Sequence, residues 1–413
     1  MGILRATAIL RKGSHEMNEP MVIDLRDEAF WQDPYPVLRR ARAQHRVARS
    51  TSGELMLLAA GDFDRVHTHP AFGQPGLVAL ERLGVCDGPF YEWRSLTMPA
   101  HDGPVHERLR GTVLRAFTAR RVEQQRVALR DHATAVIRDL RRRDSFDVVT
   151  EYADDLPLWL ICSFLGLPTD ARDEIATFLE GTESGFTDPL SAEARRTAEA
   201  GIVALNAYVE QLVAERELRP QEDLVSDLLE AEADGRLSRA ELVALVVNVL
   251  GGAIGSSRAA IVNSVLLLVS HPEQASWVRA VPDERVAPAI EECLRYHPPF
   301  RSGRKLVRED NAVFGAALVA GETVFLARQA ANRDPSRWTD PDRFDVTRPP
   351  ERHYSFGYGP HFCLGQALAR LDAQEAVRVF LAELPDAQLL TPEPRRIPFT
   401  ADEQLEALVV SPS

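Results

Sequence analysis

Apolar positions recur along most of this chain at intervals of three and four residues, the period of an α-helix. The stretches "DPYPVLRRARAQHRV", "VHERLRGTVLRAF", "DHATAVIRDLRRR", "YADDLPLWLICSFLG" and "AEAGIVALNAYVEQLVAERE" all read this way. The strongest is residues 238–272, "SRAELVALVVNVLGGAIGSSRAAIVNSVLLLVSHP". It opens on Ser238 with Glu241 three residues on, the signature of a capping box, and stops at Pro272. Because it is apolar nearly all round, it predicts a buried central helix. Glycines and serines interrupt it halfway, which a purely structural helix does not need. Strand patterns are few and short: "ELMLLAA", "GRKLVRED", "AVFGAALVAGETVFLA" and "LEALVVSP". Residues 331–360 are rich in Asp, Pro and Arg and have little periodicity. A structureless run of that length inside a domain is usually functional. It leads into "FGYGPHFCLG", after which "LGQALARLDAQEAVRVFLAELP" is a clear helix ended by Pro385.

A length of 413 residues allows one large domain or two, and no internal repeat divides the chain. The net charge of −13 argues against a nucleic acid or an anionic membrane surface as the main partner, while leaving room for a local basic patch. No run of eighteen apolar residues is present, so no membrane span is predicted. The opening residues are basic and mildly apolar but lack an apolar signal core and a cleavage site. Residues 1–24 are expected to be a disordered extension or a cloning remnant ("GSHEM"), with Met17 or Met21 as the candidate native start. A cytoplasmic location is expected.

Cysteines stand at 86, 162, 293 and 363, with no CxxC pair, so neither a zinc ribbon nor an iron–sulfur cluster is encoded. Cys162 sits among hydrophobes and reads as a small buried residue. Cys363 instead sits among Gly357, Gly359 and Gly365, which allow tight turns and the close approach of a flat ligand. A helix beginning just after it favours a thiolate through its free N–H groups. One thiolate cannot close a zinc site, but one axial thiolate suffices for haem, where the porphyrin supplies the other four ligands. The competing reading is a glycine-rich loop around an inert thiol.

The stretch "FGYGPHFCLG" resembles the Phe-x-x-Gly-x-x-x-Cys-x-Gly pattern of the cytochrome P450 family. "EECLR" gives the family's Glu-x-x-Arg pair at Glu292 and Arg295, "PDRF" a later arginine, Arg343, and "HERLR" the pair His106 and Arg110. "HPP", "ANRDP" and "DPDRF" complete the order of bacterial members, and the likeness spans roughly residues 25–411. The resemblance implies a mainly α, triangular-prism fold with small β-sheets. A haem b would lie buried between the central helix and the cysteine loop, within a single domain over residues 25–413. Cys363 would be the iron ligand. His106 and Arg110, on one helix face, would clamp the haem carboxylates with Arg304 and His361; the rival reading of His106 is a helix-surface histidine. Glu292 and Arg295, an unremarkable surface pair if taken alone, would be closed by Arg343 into a structural triad that fixes the loop.

Only fifty residues follow Cys363, with no nucleotide fingerprint or cysteine cluster, so electrons are expected from a ferredoxin and its reductase. Arg108, Arg110, Arg115, Arg120 and Arg121 offer a basic docking face, or simply a solvated helix surface. In the family, the central helix bends at a small pair, here Gly252 and Ala253, followed by an acid and an alcohol. The acid position is Gly255 and the alcohol is Ser256, expected to act in proton delivery. Arg258 pairs with an acid elsewhere or faces a carboxylate substrate. The implied function is a monomeric monooxygenase that inserts one atom of dioxygen into a small or mid-sized apolar molecule. Alternatives are a peroxygenase, isomerase or dehydratase, or a non-catalytic haem sensor. Residues 73–97, 179–191, Ala253, Ile254 and 299–303 are expected around the substrate.

Overall fold

The computed structural model describes residues 19–168, 171–183, 185, 190–400 and 402–412. Helices dominate it. The expected helices form at Tyr35–Gln44, Gly103–Leu114, Arg126–Leu140, Asp155–Phe164, Ala192–Leu218 and Gln366–Glu383. A six-stranded sheet runs in the order Val22–Ile23, Val47–Ser50, Leu55–Leu57, Thr323–Ala327, Ser302–Val307, Phe72–Gly73. A small second sheet joins Phe146–Asp147, Val409–Ser411 and Gln388–Leu389. Two departures from the sequence reading have simple causes. Val22 and Ile23 pair with Arg49 and Ser50, so ordered structure starts inside the stretch assigned to the extension; residues 1–18 lie outside the described residues. The pattern over 312–327 yields a strand only at Thr323–Ala327, because Gly315 and Gly321 adopt positive φ and turn the chain.

The central helix is two helices, Arg239–Ala253 and Gly255–Val269, broken at Ile254 (φ −90°, ψ −66°). Its capping box forms: the Ser238 hydroxyl accepts from the Glu241 N–H at 3.2 Å, and the Glu241 carboxylate from the Ser238 N–H at 2.9 Å. The break divides two cores. Leu242, Val246 and Leu250 pack into one; Ile261, Val265 and Leu268 pack into the other. By length and hydropathy residues 239–269 could cross a membrane. Their apolar side chains are instead buried in these two cores, and the residues around the break face a cavity.

Candidate functional site

Cys363 sits between a short 3-10 turn, Gly359–His361, and the helix Gln366–Glu383. Gly357 and Gly359 both adopt φ +72°, and a Cβ on Gly359 would lie 3.0 Å from the His67 carbonyl, so the loop needs glycine there on two counts. The Cys363 N–H closes the loop onto the Phe356 carbonyl at 2.9 Å. Burial pushes the Cys363 thiol up, against the Gly365 N–H and the guanidiniums of Arg110, Arg370 and Arg328. The helix-terminus preference for thiolate is therefore outweighed by desolvation until a cation binds the sulfur.

The helix Pro282–Tyr296 holds this loop from both sides. Glu292 and Arg295 form a bidentate pair (2.7 and 2.9 Å) with both side chains almost fully buried. Arg295 donates onward to the carbonyls of Asn332, Pro341 and Arg343. Glu292 accepts from the Asp345 N–H at 2.9 Å. The expected closure by the Arg343 side chain does not occur. That side chain is 72% exposed and only its carbonyl faces Arg295, while Arg348 approaches Glu292 at 3.4 Å. On the other side, Glu291 accepts two bonds from Arg370 (2.6 and 2.9 Å) and faces the buried His353 at 3.3 Å. The aperiodic residues 331–360 are thus fixed by side-chain-to-backbone bonds that leave no periodicity in sequence.

Of the anion-binding candidates, three come together. The His106 and His361 rings lie 3.9 Å apart, and Arg110 donates to the Phe362 carbonyl at 2.7 Å. His361 contacts Asp102 at 2.7 Å. Burial, with His361 and Arg110 beside it, lowers His106 to about 4, so at neutral pH it is an uncharged imidazole rather than a cation. Arg304 is not part of this group. Its side chain is half exposed and bonds Glu54 at 3.0 Å at the cavity's outer edge. Strand alternation puts Lys305 on the opposite face from Arg304, buried in the interior and not on the cavity lining. Lys305 is buried, and burial lowers it to about 8 against the pull of Asp102. The inward space at Gly303 is filled by Arg328, whose guanidinium lies 3.0 Å from a Cβ placed there. Burial lowers Arg328 to about 10, and it too lines the cavity. Arg328 sits beside a strand, outside any motif, so no local pattern marks it.

The cavity holds about 1200 Å³. One wall is the cysteine loop with Leu364, Gly365 and Leu368; the opposite wall is Gly252, Ala253, Ser256, Ser257 and Ala260. A Cβ on Gly252 would meet nothing within 4 Å, so Gly252 borders open space. Leu80, Leu83, Met98, Pro299, Phe300 and Leu318 extend it away from the loop, which places the expected segments 73–97 and 299–303. The described residues of 179–191 do not line it, nor does Ile254; residues 184 and 186–189 lie outside the described residues. Arg258 turns away and pairs with Asp154 at 2.8 Å, the plainer of its two readings.

The sequence profile of the cytochrome P450 family matches residues 286–384. Cytochrome P450 107B1 of Saccharopolyspora erythraea is 38% identical over 70% of each chain. The 6-deoxyerythronolide B hydroxylase of the same organism is 35% identical over 71% of each. The crystal structure of CalO2 superposes with a TM-score of 0.89 at 30% identity, covering 95% of this chain and 98% of that one. The chain belongs to the cytochrome P450 family. It is a haem-thiolate monooxygenase of the bacterial type, and its cofactor is haem. The residues of this P450 fit that group. A cavity larger than the roughly 300–1,000 Å³ usual for one small ligand leaves room for cofactor and substrate together. Its lining includes Gly252, Gly357 and Gly365 and one thiol, and the cations Arg110 and Arg328 stand beside that thiol, suited to carboxylates.

Proposed function

We propose that Cys363 is the axial ligand and that this P450 hydroxylates a small or mid-sized apolar molecule with electrons from a ferredoxin and its reductase. The observation that carries the ligand assignment is that Cys363 is the one cysteine lining the cavity among the described residues, held by its own backbone bond and faced by three guanidiniums. Bound through a thiolate, haem supplies activation of dioxygen, which the electron-rich sulfur favours. The chain supplies everything else. Arg110 and Arg328, with the imidazoles of His106 and His361, would hold the haem carboxylates. Arg304 stays at the rim with Glu54. The apolar wall of Leu80, Leu83, Met98, Phe300 and Leu318 supports an apolar substrate, in keeping with a relative named as a hydroxylase.

For the electron donor, the support is a surface beside the cysteine loop. Arg108 and Arg121 are neutralised by Glu241 and Asp227, and Arg110 points inward. Arg115 and Arg120 remain exposed next to the exposed Leu114, and Phe117 packs against Gly365. This is a small basic and apolar patch, suited to an acidic protein.

Cys363→His tests the ligand. The expected result is loss of the thiolate-type optical band of the reduced carbon monoxide complex; an unchanged band sinks the assignment. Turnover with NADPH and a surrogate ferredoxin pair, slowed by Arg115→Glu with Arg120→Glu, supports the donor. Turnover with peroxide alone, at the same rate, favours a peroxygenase.

A further inference from the structure

The whole chain is acidic, with a net charge of −13, yet its cavity is lined by cations. Among the described residues, Arg49, Arg82, Arg94, Arg110, Arg304 and Arg328 reach the lining, against the three carboxyls of Glu54, Glu322 and Asp372. Asp372 carries no charge at neutral pH, because burial without a cation raises it to about 8. Arg304 is balanced by Glu54. The two carboxylates of a haem account for Arg110 and Arg328. Arg82 is exposed and Arg49 half-buried at the cavity mouth, where they donate to the Gly321 and Gly53 carbonyls. Neither forms an ion pair among the described residues. That leaves Arg94, which lies farther in.

Arg94 sits in the last turn of the helix Gly88–Ser95. Phe90 and Trp93, with rings 5.6 Å apart, anchor that helix in the core. Arg94 itself is half-buried and lines the cavity with Leu80, Leu83 and Met98. Its backbone is pinned. The fully buried Thr97 donates its hydroxyl to the Arg94 carbonyl at 2.8 Å, and the His101 ring meets the Ser95 carbonyl at 2.7 Å. Burial lowers the guanidinium to about 10, so it is still a cation at neutral pH. The broken central helix offers a second polar group. Asn248, one turn before Gly252, lines the same cavity and is the one polar residue between Leu242 and Leu250, whose other members are buried and apolar. Its side-chain amide has no hydrogen-bond partner among the described residues. A polar side chain in so apolar a run adds nothing to packing and is free to meet a ligand.

We propose that the substrate of this P450 is an acid: an apolar body ending in a carboxylate, which Arg94 binds together with Asn248 while the body extends past Val249 and Ala253 toward the cysteine loop. A guanidinium supplies charge and paired N–H donors that match a carboxylate, and the amide adds a further donor. A substrate seated in the cavity strips water from the accessible part of Arg94. A carboxylate replaces that water, and a wholly apolar molecule cannot. Held at one end, the molecule presents a fixed stretch of its body to the reacting end, so Arg94 determines specificity. Arg49 and Arg82 at the mouth favour arrival of the same anion. The proposal rests on the hydroxylase reading above and adds the substrate class.

The test is titration of the ferric, haem-loaded protein at pH 7 with matched probes, dodecanoate against dodecanol and phenylbutanoate against phenylbutanol, read as the shift of the haem band. In at least one pair the acid is expected to bind about tenfold or more tighter than the alcohol, the margin of a charge-assisted hydrogen bond. Arg94→Gln should weaken that acid by about the same factor and leave the alcohol unchanged, whereas Arg94→Lys should keep most of the margin. Asn248→Leu should weaken the acid by about threefold. Equal affinity for acid and alcohol in both wild-type pairs, no shift with either acid, or a margin that survives Arg94→Gln overturns the proposal. Loss of haem from folded Arg94→Gln overturns it too, since Arg94 would then hold a haem carboxylate. Should Arg94→Gln not fold, the wild-type margin and its reduction in Asn248→Leu decide. The reduced carbon monoxide band keeps the two readings apart: a thiolate-type band without an acid margin sinks the acid substrate alone, and a missing band sinks the haem reading.

Discussion

The two walls of the cavity are built by opposite rules. On the cysteine side, buried charges are paired and the pairs reach backbone. Glu292 meets Arg295 and the Asp345 N–H, Glu291 meets Arg370, and Glu375 meets Arg126 and Arg130. On the side of the bent helix, Ser256 and Ser257 face the cavity, and farther along Asn263 is unpaired. Asp372, on the same helix as Glu375, is the exception on the cysteine side. Ion pairs hold a ligand still; unpaired polar groups leave hydrogen-bonding capacity for protons and water. Changes on the first wall should therefore remove the protein, and changes on the second should alter only where electrons and protons go.

The largest effect is expected from Glu292→Ala or Arg295→Ala. Each strands a buried charge, at roughly 3–5 kcal/mol, and frees the backbone of residues 332–345. Little folded, haem-loaded protein should be recovered, read as haem per polypeptide and thermal midpoint. Normal loading in both variants would remove the distinction between the walls. Next comes acid. Arg370 and His353 hold the Glu291 carboxyl down to about 2 despite its burial. A depressed carboxylate contributes stability above its unfolded value, near 4.5, and loses it as pH falls toward 2. The thermal midpoint should therefore drop between about pH 4.5 and pH 2. Glu291→Gln should flatten part of that slope, with about 3 kcal/mol at stake for the pair. A slope identical to wild type would show that Arg370 finds another partner.

A smaller effect separates the two candidate closures of the Glu292–Arg295 pair. Arg348 is mostly buried beside Glu292, so Arg348→Ala should cost about 1–2 kcal/mol. The Arg343 side chain is largely exposed, and Arg343→Ala should stay within about 0.5 kcal/mol. Chemical denaturation of both variants decides between them, and the reverse order would restore the sequence-based assignment.

This pair shows where sequence stops being legible. The cysteine loop, the Glu-x-x-Arg pair and the broken central helix were readable because each is local. Fixed spacing, a capping box and glycine at a bend leave marks within ten or so residues. The partner of a buried carboxylate in residues 331–360 is chosen by a chain without periodicity, so neither Arg343 nor Arg348 is marked. Arg304 is unmarked for a related reason. In a strand, adjacent side chains take opposite faces, and "GRKL" holds two cations in a row, of which Arg304 lines the cavity beside Glu54 and Lys305 is buried. Arg328 and Asp372 were invisible altogether. The first sits beside a short strand, and the second is one acid among several on an amphipathic helix; both it and Glu375 are buried, and only the packing that gives Glu375 two guanidiniums and Asp372 none distinguishes them.

The smallest expected change in stability is also the sharpest test of the comparison. Ser256 contributes no hydrophobic contact to either core, and its loss creates no stranded charge. Ser256→Ala should leave the thermal midpoint and haem loading as in wild type, within about 0.5 kcal/mol. On the expectation that Ser256 acts in proton delivery, what should move is the ratio of product to NADPH, because an alanine cannot pass a proton. Ser257→Ala, on the adjacent cavity-facing position, should lower the ratio less, since Ser256 remains. A Ser256→Ala protein that couples as well as wild type would make the residue a packing element of the bend. A Ser256→Ala protein that fails to load haem would show that the second wall is as structural as the first.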